Sequence, residues 1–103
     1  MPRINWGFAS DTVRVAGTPE QAFDRVHRAM TMIGTVIDED RHTFVSGRTR
    51  YGLQRVSIKV FISSMNGDDQ VVLRIEAFAD DLWGRGARMG IRKLRRALGE
   101  DLA

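Results

Sequence analysis

Residues 53–80 read LQRVSIKVFISSMNGDDQVVLRIEAFAD, and this stretch decides the fold. In its first half Val56, Ile58, Val60 and Ile62 alternate with Arg55, Ser57, Lys59 and Phe61. In its second half Val71, Leu73, Ile75 and Ala77 alternate with Val72, Arg74, Glu76 and Phe78. A period of two is that of a strand, whose successive side chains point to opposite faces. Asn66-Gly67 between the runs is a strong hairpin signal, since both residues accept positive φ. The expectation is an antiparallel pair, 53–65 with 70–79. Each strand has one apolar and one mixed face, as in a sheet covered on one side.

Upstream, GTPEQAFDRVHRAMTMIG (17–34) carries a complete helix start signal. Thr18 is placed to cap, Pro19 sits at the first helical position, and Gln21 completes a capping box. Ala22, Phe23, Val26, Met30 and Ile33 recur at helical spacing and form one stripe to bury. Gly34 is a natural stop. Before this helix, TVRVAG (12–17) reads as a short strand, and Ile4, Trp6 and Phe8 alternate in a strand or an apolar N-terminal arm. After it, TVIDED (35–40) and TFVSGRTRYG (43–52) read as a hairpin turning near Arg41–His42.

The C-terminal run LWGRGARMGIRKLRRALG (82–99) reads as a second amphipathic helix from about Leu82 to Leu98. Trp83, Ala87, Ile91, Leu94 and Leu98 form its apolar stripe. Asp80 and Asp81 precede it, and its later turns are basic, which suits the helix dipole at both ends. The whole chain, 1–103, reads as a single α+β domain in β-α-β-β-β-β-α order. Two helices pack on one face of a curved antiparallel sheet.

Several chemistries are excluded or lack support. There is no cysteine, so disulfides, thiolate metal sites and cysteine nucleophiles are absent together. His27 and His42 have no carboxylate or histidine at ligand spacing, whereas a metal site needs three or four such groups. No serine sits in a nucleophile elbow, and no acid–base–nucleophile set is visible. The glycines of GRGARMG (84–90) give G-x-G-x-x-x-G and lack the second parallel strand of a dinucleotide fingerprint. Their reading is close packing of the helix backbone, through Gly86 and Gly90. The chain therefore reads as non-enzymatic and free of cofactors. No apolar run approaches the ~20 residues of a membrane span, and no signal peptide is visible. The expectation is a soluble, cytoplasmic protein.

Two surfaces are candidates for function. One is the mixed sheet face, where Phe61, Phe78 and Val72 lie beside Lys59 and Arg74. Apolar side chains on an uncovered face mark an interaction surface, and a homodimer is the simplest occupant. Cover by Trp6 and Phe8 of the same chain is the competing expectation. The other is the basic side of the last helix, with Arg85, Arg88, Arg92, Lys93, Arg95 and Arg96. It lacks the interleaved acids of an ordinary solvated helix and would suit nucleic acid or another polyanion. The formal net charge of +3 rests on fourteen Arg against two Lys. A third reading places a small apolar ligand between helix and sheet, lined by methionines such as Met30, Met32, Met65 and Met89.

VRVAGTPEQAF (13–23) resembles the opening of helix-grip domains of the START or Bet v 1-like kind, in which a strand leads into a helix starting with Pro-Glu. The final amphipathic helix after consecutive antiparallel strands is similar too. The resemblance implies a sheet gripped by helices. Such domains are normally longer and enclose a deep cavity. A reduced sheet-plus-two-helix layout, comparable to TATA-binding-protein-like folds, matches this length. The resemblance brings no functional residues with it.

Overall fold

A computed structural model describes residues 7–64, 70–79 and 85–102. The elements are β1 (Phe8–Ala16), α1 (Pro19–Ile33), β2 (Thr35–Asp40), β3 (Phe44–Tyr51), β4 (Gln54–Ser64), β5 (Gln70–Ala79) and α2 (Arg85–Leu102). This is the expected α+β order. The strands form one antiparallel sheet, β1-β5-β4-β3-β2. Asn66-Gly67, Asp80, Asp81, Trp83, Ile4 and Trp6 lie outside the described residues. Among the described residues no helix is long and apolar enough to cross a membrane.

Local chemistry sets α1 as expected. Gln21 N–H donates to Thr18 Oγ1 at 3.2 Å, and Thr18 N–H donates to Gln21 Oε1 at 3.0 Å. Two otherwise orphaned donors at the helix start are thereby satisfied. Ala22, Phe23, Val26, Ala29 and Met30 are buried, and Ile33 is half-buried. α1 packs on β2, β3 and β4, while α2 crosses β1, β3, β4 and β5 and touches α1. Both helices therefore lie on one face. Val56, Ile58, Val60 and Ile62 of β4 and Val71, Leu73, Ile75 and Ala77 of β5 point into that core.

α2 buries Ala87, Ile91, Leu94 and Leu98, as its spacing required, together with Gly90 and Ala97. A Cβ at Gly90 would come 2.7 Å from Val56 Cγ1, so the helix backbone rides directly on β4. The helix runs on past Leu98 to Leu102, through Gly99.

β1 corrects the sequence reading. It starts at Phe8 rather than Thr12 and pairs along the whole of β5, from Phe8↔Phe78 to Ala16↔Gln70. FASD has weak strand propensity of its own, but pairing with a central strand overrides propensity. Phe8 is thus a member of the sheet, not part of an arm folded across it.

Candidate functional site

The register turns the outer face of the sheet into rows. One row runs Phe8, Phe78, Ser57, Arg48 and Thr35 across the five strands. The next runs Ser10, Glu76, Lys59, Ser46 and Asp38, and the third Thr12, Arg74, Phe61, Phe44 and Asp40. Val72 pairs with Arg14 and Ser63 at the far end. All five residues of the expected partner face, Phe61, Phe78, Val72, Lys59 and Arg74, therefore share one surface. Phe8 and Phe44 join them. Phe8 was hidden because β1 looked short, and Phe44 because alternation in 43–52 is weak.

The four rings are not equivalent. Lys59 Nζ lies 4.4 Å from the Phe44 ring centroid and 5.1 Å from that of Phe61, and Arg74 Cζ lies 4.5 Å above Phe61. Cations stacked on exposed rings stabilise by about 0.5–1 kcal/mol each. Phe44 and Phe61 are thus roofed and half-buried. Among the described residues no cation stacks on Phe78 or Phe8, which are 55% and 41% exposed. The open apolar part of the face is this cross-strand pair, at the β1 edge. Arg74 Nε also lies 3.4 Å from Glu76 Oε2.

The basic side of α2 splits into parts. Arg88, Arg92, Arg95 and Arg96 line a groove with Ile91 and Asp11 of β1. Arg95 Nη1 donates to Asp11 Oδ2 at 2.8 Å. The acid that pairs with Arg95 comes from the sheet, in a surface pair contributing roughly 0.2–1 kcal/mol. Arg85 is exposed at the start of the described helix and lies off that groove. Lys93 does not belong with these arginines. One residue is a step of about 100° around a helix, which turns Lys93 toward β3. There its Nζ donates to Arg50 O at 3.0 Å and to Thr49 Oγ1 at 3.3 Å.

Buried side chains of both helices and of the sheet meet between them. Met30 is fully buried over Gly47, where a Cβ would come 2.5 Å from Met30 Cγ. Met32 is exposed and Met89 is half-buried, while Met65 lies outside the described residues. Met30 therefore acts as core filling.

One pairing departs from expectation. His27 Nε2 lies 3.1 Å from Glu39 Oε2, although sequence spacing gave neither a partner. The α1–β2 connection folds back and brings together residues twelve apart. Phe23 packs against His27 and, edge-on, against His42. Among the described residues no three side chains are grouped to hold a metal ion.

No family model matches the sequence, and no curated protein matches it. Solved structures do match the fold. A Deinococcus radiodurans protein superposes with a TM-score of 0.54 at 13% identity, over 90% of this chain and 92% of its own. A START superfamily protein from Mycobacterium smegmatis gives 0.51 at 14% identity, over 94% of this chain and 99% of its own. At these identities the likeness is one of architecture. Near-complete coverage of both neighbours shows that a helix-grip layout fits within this length, and the chain shares the fold of a START superfamily structure, as residues 13–23 suggested.

Proposed function

We propose that this chain is a non-catalytic interaction domain that pairs with a second copy through the outer face of its sheet. The observation that supports this reading is the exposed Phe8–Phe78 pair at the β1 end of a row that no described residue covers. Fully burying one such ring is worth about 1.5–3 kcal/mol.

Area and charge both favour a second copy. Four strands about 4.8 Å apart, each presenting some eight residues at about 3.4 Å, overlap over roughly 520 Å² when β4 and β5 exchange, since β2 then has no strand opposite it. Two such faces bury about 1,040 Å², close to the ~1,000 Å² that a specific interface needs. A two-fold axis parallel to the strands between β4 and β5 exchanges those two strands. Because Glu76 and Lys59 are register partners, each then lies over the opposite charge of the other copy. Phe8 lies over the position of Arg48. The patch is self-complementary, as a two-fold interface requires.

Sedimentation equilibrium tests the reading. We expect a dimer at tens of micromolar, and a monomer with an unchanged far-UV spectrum for Phe78→Asp. A wild-type chain that stays monomeric at millimolar concentration would refute it.

The outward arginines of α2 support a second reading, a polyanion surface. Among the described residues Arg88, Arg92 and Arg96 have no acidic partner, unlike Arg95. Retention on heparin at low salt should fall steeply as salt rises, because each neutralised anionic group releases counterions. Replacing Arg88, Arg92 and Arg96 with Gln should flatten that dependence. Passage of the wild type through the column without retention would remove this reading.

A further inference from the structure

β3 and β4 run past the start of β2, and beside their ends lies an open cleft of about 600 Å³. Arg50 and Arg55 line it and are directly opposed in the β3–β4 register. Directly opposed side chains have Cβ atoms about 4.5–5.5 Å apart, and like charges in that relation are destabilising. Among the described residues neither guanidinium has a carboxylate partner. Among the described residues the cleft lining contains no acid.

A third cation is built in from the other side. Lys93 Nζ is held by Arg50 O and Thr49 Oγ1. Thr49 is itself only 4% exposed, and its hydroxyl donates to Ile33 O at 2.6 Å. An ammonium has three N–H donors, and two are engaged here. The C-terminal dipole of α1, about half a negative charge, cannot balance the four full positive charges of Arg48, Arg50, Arg55 and Lys93. Ile33 and Ile37 line the same cleft and add an apolar wall.

We propose that this cleft binds a small organic phosphate. Arg50, Arg55 and the remaining N–H of Lys93 hold the dianionic group, and the organic part rests on Ile33 and Ile37. Paired guanidinium groups match phosphate geometry, with two parallel N–H···O bonds each. Bound phosphate also relieves the repulsion between Arg50 and Arg55. Arg48 and Thr35 line the cleft and also belong to the outer-face row, so binding is titrated on the unpaired Phe78→Asp chain as well as on the wild type.

The test is calorimetric titration of the wild type with phenyl phosphate and with inorganic phosphate, at ionic strength fixed by sodium chloride. We expect phenyl phosphate to bind more tightly than inorganic phosphate. Arg50→Gln and Arg55→Gln should each weaken it by about tenfold or more, and Arg41→Gln should not. Without ligand, Arg55→Gln should melt at a higher temperature than the wild type. With ligand, it should lose the stabilisation that the wild type gains. Phe78→Asp, which does not pair, should still bind phenyl phosphate and lose that binding when Arg55→Gln is added, which separates failure here from failure of the pairing. Flotation with phosphatidylcholine vesicles containing phosphatidic acid distinguishes a lipid headgroup from a soluble phosphate as the source. No heat at millimolar phenyl phosphate, or equal binding by the Arg50→Gln and Arg55→Gln chains, would overturn the proposal.

Discussion

Gly34→Ala should destabilise the protein by about 3 kcal/mol or more, a large part of the ~5–15 kcal/mol typical of a domain. Conformation is not the reason. Gly34 has φ −175° and ψ −138°, extended backbone open to any residue. The reason is space. A Cβ there would overlap the carbonyl oxygen of Arg48 and lie 3.1 Å from Thr49 Cα. Both obstacles are main chain, so no side chain can swing away. The chain leaves α1 at this point and begins the Thr35↔Arg48 pairing of β2 with β3. Relief means separating the two strands there and disturbing the Thr49 hydroxyl bond to Ile33 O. Gly99 is the internal contrast. A Cβ there meets nothing within 4 Å, and the residue lies inside α2. Gly99→Ala should therefore stabilise, by up to about 1 kcal/mol. Urea unfolding at one fixed protein concentration checks both. A loss below about 1 kcal/mol for Gly34→Ala would mean that the α1–β2 junction is looser than described.

Leu94→Ala should cost about 2–5 kcal/mol, the range for truncating a fully enclosed leucine. Leu94 has no exposed surface and stands in the middle of the α2 stripe. α2 is the element that touches β1, β3, β4, β5 and α1, so a cavity beneath it is bounded on several sides. Walls of that kind collapse poorly, and collapse is what lowers such costs. Lys93→Met, one residue away, is the matching control for helix seating. It keeps a long side chain and removes the two hydrogen bonds to β3, so its effect should be smaller. The same urea titration decides: a Leu94→Ala loss under about 0.5 kcal/mol would place the wrong face of α2 against the sheet.

What the sequence revealed and what it hid follow from distance along the chain. The capping box spans Thr18 to Gln21, and alternation in 53–64 and 70–79 is visible in any short window. Local rules recover both. β1 escaped recognition over Phe8–Asp11 because those residues become a strand through pairing with β5, more than sixty residues away. The His27–Glu39 contact depends on how α1 turns back along β2. Lys93 looked like one cation in a stripe, because a run of charges does not show which flank of a helix faces β3. The opposition of Arg50 and Arg55 needs the exact length of the Tyr51–Gln54 turn. Face membership of Phe61, Phe78, Val72, Lys59 and Arg74 was legible from period two. Which rings stay open was not, since Lys59 and Arg74 reach Phe44 and Phe61 across strands.

Cross-linking tests pairing through the outer face directly. The chain has no cysteine, so a single introduced thiol reports one position. Ser57 points outward beside Phe78, its register partner, whereas Arg96 lies on the exposed side of α2. Ser57→Cys and Arg96→Cys chains, each treated with a short bismaleimide at tens of micromolar, are compared on a denaturing gel. A covalent dimer from Ser57→Cys, little from Arg96→Cys, and its loss when Phe78→Asp is added is the expected result. Monomer throughout, or equal dimer from both positions, would contradict it.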